Sequence, residues 1–402
     1  MLSERFWPEG SGGELATYLY IKELQRHKDL YFKVLTGTPL NKIPIDIRGS
    51  KNVDFVVLDF LRAKHRVILW KNLSRNIDKI MNRLKDGEIL YIPGSSVIIA
   101  PYVKKHYRDI KIIYHLHGYL PISYNSAVYY PYEKRKNRIY LDTCRYVARA
   151  GIKHFIACLL LHHYLTRKAR KSLEYVDKII CVSKRQEYII NDAIPFTRGK
   201  TTVIYNPPPP DVIGIKKNPN STPLLLFTGG DNPVKGIDKV IKTAEYLYKQ
   251  GIDYKLVITN KVNEKLIIKT KSKPFGKHIE FTGRIARQKI LELYSRAWIL
   301  LFPSIYEEPL PYTVMEALLT GTVPIAAKTG GVPELVKIID DIIESSKILF
   351  DPNNINEIYT KIMIFRKINS NNRILGQIAH HFYKEYIKML SQQNLANIIR
   401  LS

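Results

Sequence analysis

Cysteine, methionine and tryptophan are scarce in this chain of 402 residues, at 3, 5 and 3, and acidic residues number 36 against 63 lysines and arginines. Cys144, Cys158 and Cys181 have neither the paired spacing of a disulfide framework nor that of a metal site, which predicts a reduced, intracellular chain without structural zinc. No apolar run approaches the roughly 18 residues of a membrane-spanning helix. The longest, His154 to Leu165 (HFIACLLLHHYL), has the length of a buried or interfacial helix. The amino terminus, MLSERFWPEG, lacks the apolar h-region of a signal peptide. No internal repeat of solenoid length is present. Together these absences lead us to expect a cytoplasmic globular protein, with the cytoplasmic face of a membrane as the second location to consider.

The shortage of acid is uneven. Residues 101–200 hold 20 basic against 7 acidic side chains, a balance of +13 within a whole-chain charge of +27. Such a surface attracts phosphate-rich partners, whether anionic membrane, a lipid-pyrophosphate acceptor or nucleic acid. A lysine-rich solvated face is the plainer explanation.

At about 150 residues per domain the length predicts two to three domains. In the first half, Tyr31 to Leu35, Val53 to Leu58, Ile89 to Ile92, Ile110 to Tyr114 and Lys178 to Val182 read as strands, with helices such as Leu15 to Arg26 and Leu73 to Leu84 between them. At Asn206 to Pro210 the sequence NPPPP excludes helix and central strand and makes a stiff hinge. Beyond it, Leu224 to Thr228, Tyr254 to Thr259, Ile279 to Thr282, Ile299 to Phe302 and Val323 to Ala326 repeat the strand pattern. This alternation predicts α/β architecture with two doubly wound, Rossmann-like domains, 1–207 and 208–375. The segment 376–402, part of a helical stretch from about Ile374 to Ile399, is expected to return to the first domain.

The richest segment runs from Pro303 to Glu334, PSIYEEPLPYTVMEALLTGTVPIAAKTGGVPE. Glu308 falls in a loop after the buried run Ala297 to Phe302, and Glu316 lies inside the helical stretch Tyr312 to Leu319, so both carboxylates can face one cleft. The backbone of Leu310, Pro311, Tyr312 and Thr313 opens that helix, where unpaired N–H groups suit an anion. Carboxylates suit sugar hydroxyls, which donate to them.

This segment resembles the signature of the family-4 retaining glycosyltransferases of GT-B fold (glycosyl transferases group 1). Their E-x7-E motif is matched by Glu308 and Glu316, and their GGxPE by Gly330 to Glu334. The resemblance implies two Rossmann-like domains facing a cleft, with Glu308 on the donor sugar and Glu316 on the ribose hydroxyls. A second element, Asp231 to Gly236 (DNPVKG), resembles the family's phosphate loop, with Lys235 matching the lysine that neutralises the donor diphosphate. Gly230 stands where relatives carry arginine, and Arg284 or Arg287 is the candidate substitute, Arg284 being taken as substrate-binding.

In the first domain, Gly12 and Gly13 resemble the family's glycine loop, and His117 occupies the place of its active-site histidine. His115 lies on the same pleat face. Ser183 reads mainly as a helix N-cap. By resemblance the catalytic residues are Glu308 and His117, and the chemistry is hexosyl transfer from a nucleotide-sugar to a saccharide or lipid-linked saccharide acceptor. A front-face route needs no enzyme nucleophile. No Asp-x-Asp pair is placed for a metal, and Asp340 and Asp341 lie past the motif, so neither metal nor cofactor is expected beyond the nucleotide-sugar substrate.

For the acceptor, Ile152 to Lys171 joins an apolar helix to a basic end, as a membrane-surface helix requires, with Tyr129, Tyr130, Tyr132 and Lys134 to Arg138 nearby. An ordinary core helix with a solvated last turn is the alternative. Peripheral contact with anionic membrane is a candidate partnership; nucleic acid is not an expected partner. Nucleotide-sugar epimerisation and a non-catalytic basic binder of membrane or nucleic acid stand as the other readings of the same fold.

Overall fold

The computed structural model describes residues 1–84, 87–148, 151–219, 221–368, 373–393 and 395–401. Its chain divides into two compact units, Met1–Pro207 with Gln392–Ser402, and Pro208–Ser391, so the boundary falls inside the NPPPP run.

Among its described residues the second unit contains six strands. These are β8 (Leu224–Phe227), β9 (Lys255–Thr259), β10 (Ile279–Gly283), β11 (Ile299–Phe302), β12 (Val323–Ala327) and β13 (Leu349–Phe350). Every residue of β8, β11 and β12 is buried, as parallel strands sandwiched between helices must be. They form one parallel sheet in the order β10-β9-β8-β11-β12-β13. That is the doubly wound order, which reverses direction between β8 and β11.

The first unit repeats the scheme with a weaker seam. Its strands are β1 (Leu2–Ser3), β2 (Phe32–Thr36), β3 (Val53–Val57), β4 (Ile89–Ile92), β5 (Lys111–Leu116), β6 (Lys178–Cys181) and β7 (Thr201–Val203). They make a parallel β1-β2-β3 sheet and a parallel β4-β5-β6-β7 sheet, and β1 lies against β4 where the two meet. The order again reverses at that point.

Some boundaries differ from the sequence reading. The strands β1, β7 and β13 have two or three residues each, too few to show a period. Leu73 to Leu84 is not one helix but the end of Arg66–Arg75 and all of Ile77–Leu84. Asn76 breaks it with a non-helical backbone and bonds its side chain back to the Asn72 carbonyl at 2.9 Å. The helix Arg373–Ser391 stays with the second unit instead of leaving it at 376; only the chain from Gln392 joins the first. Its apolar side chains Leu375, Ile378, Phe382 and Tyr386 recur on one face and are fully buried, packed on the helix Tyr312–Leu319. Asn394, inside the stretch expected to be helical, lies outside the described residues.

Phe382 stacks on Tyr386 with ring centroids 5.3 Å apart. Phe382→Ala should lower unfolding stability by about 3 kcal/mol or more through the cavity it leaves, measured by denaturant unfolding of the full chain.

Candidate functional site

The crevice of a doubly wound sheet lies at the carboxyl ends of the strands flanking the reversal, and in the second unit the loops leaving β8 and β11 meet there. In the β8 loop, Gly230 takes φ of +59°, and a Cβ on it would stand 2.8 Å from the Lys261 carbonyl oxygen. A side chain at this position would strain the turn and meet that carbonyl. The Asn232 side chain then accepts from the Val234 N–H at 3.2 Å and caps a single 3₁₀ turn, Pro233–Lys235. Lys235 ends that turn with its ammonium on the Glu308 carboxylate.

The β11 loop is tied to the β8 loop by the Ile305 N–H, which donates to the Val234 carbonyl at 2.9 Å. The Ser304 hydroxyl lies 3.2 Å from that carbonyl oxygen and 3.3 Å from Glu308 Oε1. From the other side comes the turn Gly330-Gly331. Gly331 donates its N–H to the Glu308 carbonyl, and Gly330 donates to Glu307 Oε2, both at 2.8 Å. Gly330 has φ of +54°, and a Cβ there would overlap the Glu308 backbone. The glycine pair therefore fixes where the Glu308 side chain begins.

Glu316 lies in the helix Tyr312–Leu319 with only 7% of its side chain exposed. It accepts from Arg287 Nη1 at 2.7 Å, while Arg287 holds both oxygens of Asp211 at 2.8 and 3.0 Å. Burial pushes the Glu316 carboxyl up to about 7, and the Arg287 guanidinium opposes the rise. Burial also works against the Arg287 charge, but its two carboxylate partners more than offset this and raise its pKa. At the helix start, the Pro311 carbonyl takes the N–H groups of Val314 and Met315. Backbone that could face an anion is thus confined to residues before Val314, and Pro311 has no N–H to offer.

The first unit has its own pocket at the β1/β4 reversal, about 190 Å³, lined by Glu4, Gly13, Glu14, Ser95, His115 and His117 among others. Helix Gly12–Leu24 begins here, and the Glu14 carboxylate accepts from the Ser11 N–H at 2.7 Å. Gly13 lies so close to His117 that a Cβ would be 3.1 Å from the histidine's own Cβ. His117 stacks on His115 with centroids 4.5 Å apart, and His115 Nδ1 is 2.5 Å from the Tyr91 hydroxyl. Nε2 of His117 is enclosed without a hydrogen-bond partner. Burial pulls the His117 pKa down to about 4 and pushes the Glu4 carboxyl up, the latter despite a 2.7 Å bond from Ser96. A neutral imidazole beside a carboxyl group is suited to exchanging hydrogen bonds with hydroxyls.

The structure thus brings Lys235 onto Glu308, and Gly12 and Gly13 to His117. Leu310, Pro311, Tyr312 and Thr313 stand at the start of the Glu316 helix. Arg284 is exposed and, among the described residues, makes no ion pair or hydrogen bond; Arg287 is the arginine that meets a motif glutamate. Ser183 is a helix N-cap, accepting from the Gln186 N–H at 3.2 Å. Sequence reasoning passed over Glu307, Asp211 and Glu4. Of these only Glu307 had a local signal, as the first acid of the Glu307-Glu308 pair in the loop after a buried strand. Among the described residues no group of three or more His, Cys, Asp or Glu side chains is placed to hold a metal ion.

Residues 211–382 match the family model described as Glycosyl transferases group 1. A stretch of 120 residues is 31% identical to glycogen synthase of Aquifex aeolicus, covering 30% of this chain and 25% of that one. The segments matched span 20% and 25% of the curated relatives' own lengths. Over the whole chain the structure is similar to sucrose-phosphate synthase of Thermosynechococcus elongatus, with TM-score 0.71 and 15% identity, covering 100% of this chain and 99% of that one. It is also similar to Anabaena HepE in complex with UDP, with TM-score 0.68, 15% identity and the same coverage. The fold is GT-B, two Rossmann-like α/β units on parallel sheets.

His117 should make stability pH-dependent. Its folded pKa is depressed, so the stability that depends on a neutral ring is complete above the ordinary histidine value near 6.5 and is lost as pH falls toward 4. The wild type should lose about 2 to 3 kcal/mol more than His117→Gln between those limits, measured by urea unfolding at a series of pH values.

Proposed function

We propose that this chain is a retaining glycosyltransferase that moves a hexosyl group from a nucleotide-sugar to a saccharide or lipid-linked saccharide at the cytoplasmic face of a membrane. The observation that carries the reading is the Lys235–Glu308 ion pair at the switch point of the second unit, inside the residues that match the group 1 transferase model. The bound UDP named for the Anabaena neighbour supports a nucleoside diphosphate as the leaving group.

The two partners of that ion pair suit the two halves of such a donor. A diphosphate arriving at Lys235 takes over the ammonium, which meets the negative charge that grows as the sugar–oxygen bond breaks. The freed Glu308 carboxylate then accepts from sugar hydroxyls. Glu316, braced by Arg287, takes the ribose hydroxyls. In this reading Gly230 has given up the cation that relatives place there, and Lys235 with the backbone of the loop carries the phosphate charge alone; no metal has a role. In the first unit, neutral His117 and Glu4 recognise hydroxyls. Retention would follow from a donor phosphate oxygen taking the acceptor proton on the face from which the diphosphate departs.

The reading is tested by thermal stabilisation with a panel of nucleoside diphosphates and nucleotide-sugars, followed by transfer assays with the anomer of the product read by NMR. Failure of every nucleotide to stabilise the protein would overturn it, and an inverted product would overturn the retaining step. Lys235→Ala should weaken nucleoside diphosphate binding about 10- to 100-fold, the worth of one charge-assisted contact, and leave nucleoside binding nearly unchanged. Nucleotide affinity of the wild type should rise as pH increases through about 7, where the Glu316 carboxyl ionises and becomes the better acceptor. Glu316→Gln should remove that step while leaving the pH response of the phosphate itself.

A further inference from the structure

The basic excess of residues 101–200 meets an unusual helix in the first unit. Helix Ile152–Ser172 turns one face to water that is apolar along its first half. Ile152, Ile156, Leu160 and Tyr164, four residues apart, are all exposed, Leu160 by 73% and Ile152 by 68%. A spacing of four keeps these side chains on one stripe, and the same stripe continues into Arg167 and Lys171. Isolated exposed apolar residues are ordinary; a continuous row of them on one helix is not.

The basic end of the stripe opens into a chamber of about 980 Å³. Lys136, Arg167, Arg170 and Lys171 line it against two carboxylates, Asp192 and Glu174. Asp192 is already engaged, accepting from the Tyr132 hydroxyl at 2.7 Å and from Lys136 at 3.2 Å. Arg167, Arg170 and Lys171 have no carboxylate partner among the described residues. His162, 4% exposed, lines the same chamber with its Nδ1 enclosed and unpartnered. Burial disfavours its charged form, which leaves a neutral ring able to donate or accept one bond. Unpaired guanidinium groups in a concave site suit a phosphate, and an apolar stripe leading into them suits a chain attached to it.

We infer that the chamber beside helix Ile152–Ser172 binds the phosphate headgroup of an anionic lipid, with the Ile152–Tyr164 stripe lying in the acyl region of the same bilayer. Charge complementarity selects an anionic headgroup over a zwitterionic one. Ile152, Ile156 and Leu160 make the outer part of the stripe aliphatic, a surface that suits acyl chains better than bases. The site is separate from the Lys235–Glu308 pair and requires no nucleotide.

The test is co-sedimentation of the full chain with phosphatidylcholine vesicles, with and without phosphatidylglycerol. Three proteins are compared with the wild type: Arg167→Gln/Arg170→Gln/Lys171→Gln, an equal charge loss on the second unit (Lys265→Gln/Lys269→Gln/Lys273→Gln), and Ile156→Glu/Leu160→Glu. The wild type should partition onto the phosphatidylglycerol vesicles only. The chamber variant should lose roughly 100-fold in partition, at about tenfold or less per basic residue near an anionic surface. The control triple should keep most of its binding, and the Ile156→Glu/Leu160→Glu variant should lose it. Equal loss in the two triple variants would overturn the inference in favour of diffuse charge. Equal binding to pure phosphatidylcholine, saturation by inorganic pyrophosphate with no vesicle binding, or preference for duplex DNA would each overturn the lipid assignment. Nucleotide-induced thermal stabilisation of the chamber variant reports whether it is folded, and it stands or falls separately from vesicle binding.

Discussion

A carboxylate removed from water must be given donors, and the second unit removes three of them within the stretch Glu307 to Glu316. Each has a different solution. Glu307, fully buried, takes a backbone N–H from Gly330; Glu308 takes the Lys235 ammonium; Glu316 takes Arg287. An unpaired buried charge would cost several kcal/mol, so these three pairings constrain the β8 loop, the glycine turn and the start of helix Arg287–Arg296 together. The site's geometry is to a large extent the geometry of keeping those carboxylates satisfied.

The pairings also sort structure from chemistry. Glu307 is enclosed and bonded to a backbone group that cannot leave, which makes it a brace. Glu308 faces a lysine whose side chain is 30% exposed and can exchange one anionic partner for another. Glu316 is intermediate: its arginine is shared with Asp211, so the guanidinium stays anchored whichever partner the carboxylate takes.

The first unit handles its buried polar groups with neutral chemistry. His115 and His117 are stacked and uncharged, and the Glu4 carboxyl is raised toward its neutral form. Both units gather these side chains where the strand order reverses, yet one presents an ion pair and the other a pair of stacked, uncharged histidines. In the proposed function the anion goes to the first of these and the hydroxyls to the second.

Much of this was legible in the chain. Short apolar runs bounded by turn residues read as buried strands, the four consecutive prolines can only be a break, and the eight-residue separation of Glu308 and Glu316 spans one loop and just over one helical turn. Those features are local, and local sterics suffice to read them. The partner of each buried charge was not legible, because Asp211, Arg287 and Glu316 are far apart in sequence and meet only when the sheet order sets them side by side. The same holds for Arg284 against Arg287, three residues apart and chemically alike: Arg284 lies in the bend after β10, whereas Arg287 opens the next helix and meets the carboxylate. The attachment of helix Arg373–Ser391 likewise depended on which surface offered a matching apolar groove. Periodicity reveals that a helix has such a face; only packing selects what covers it.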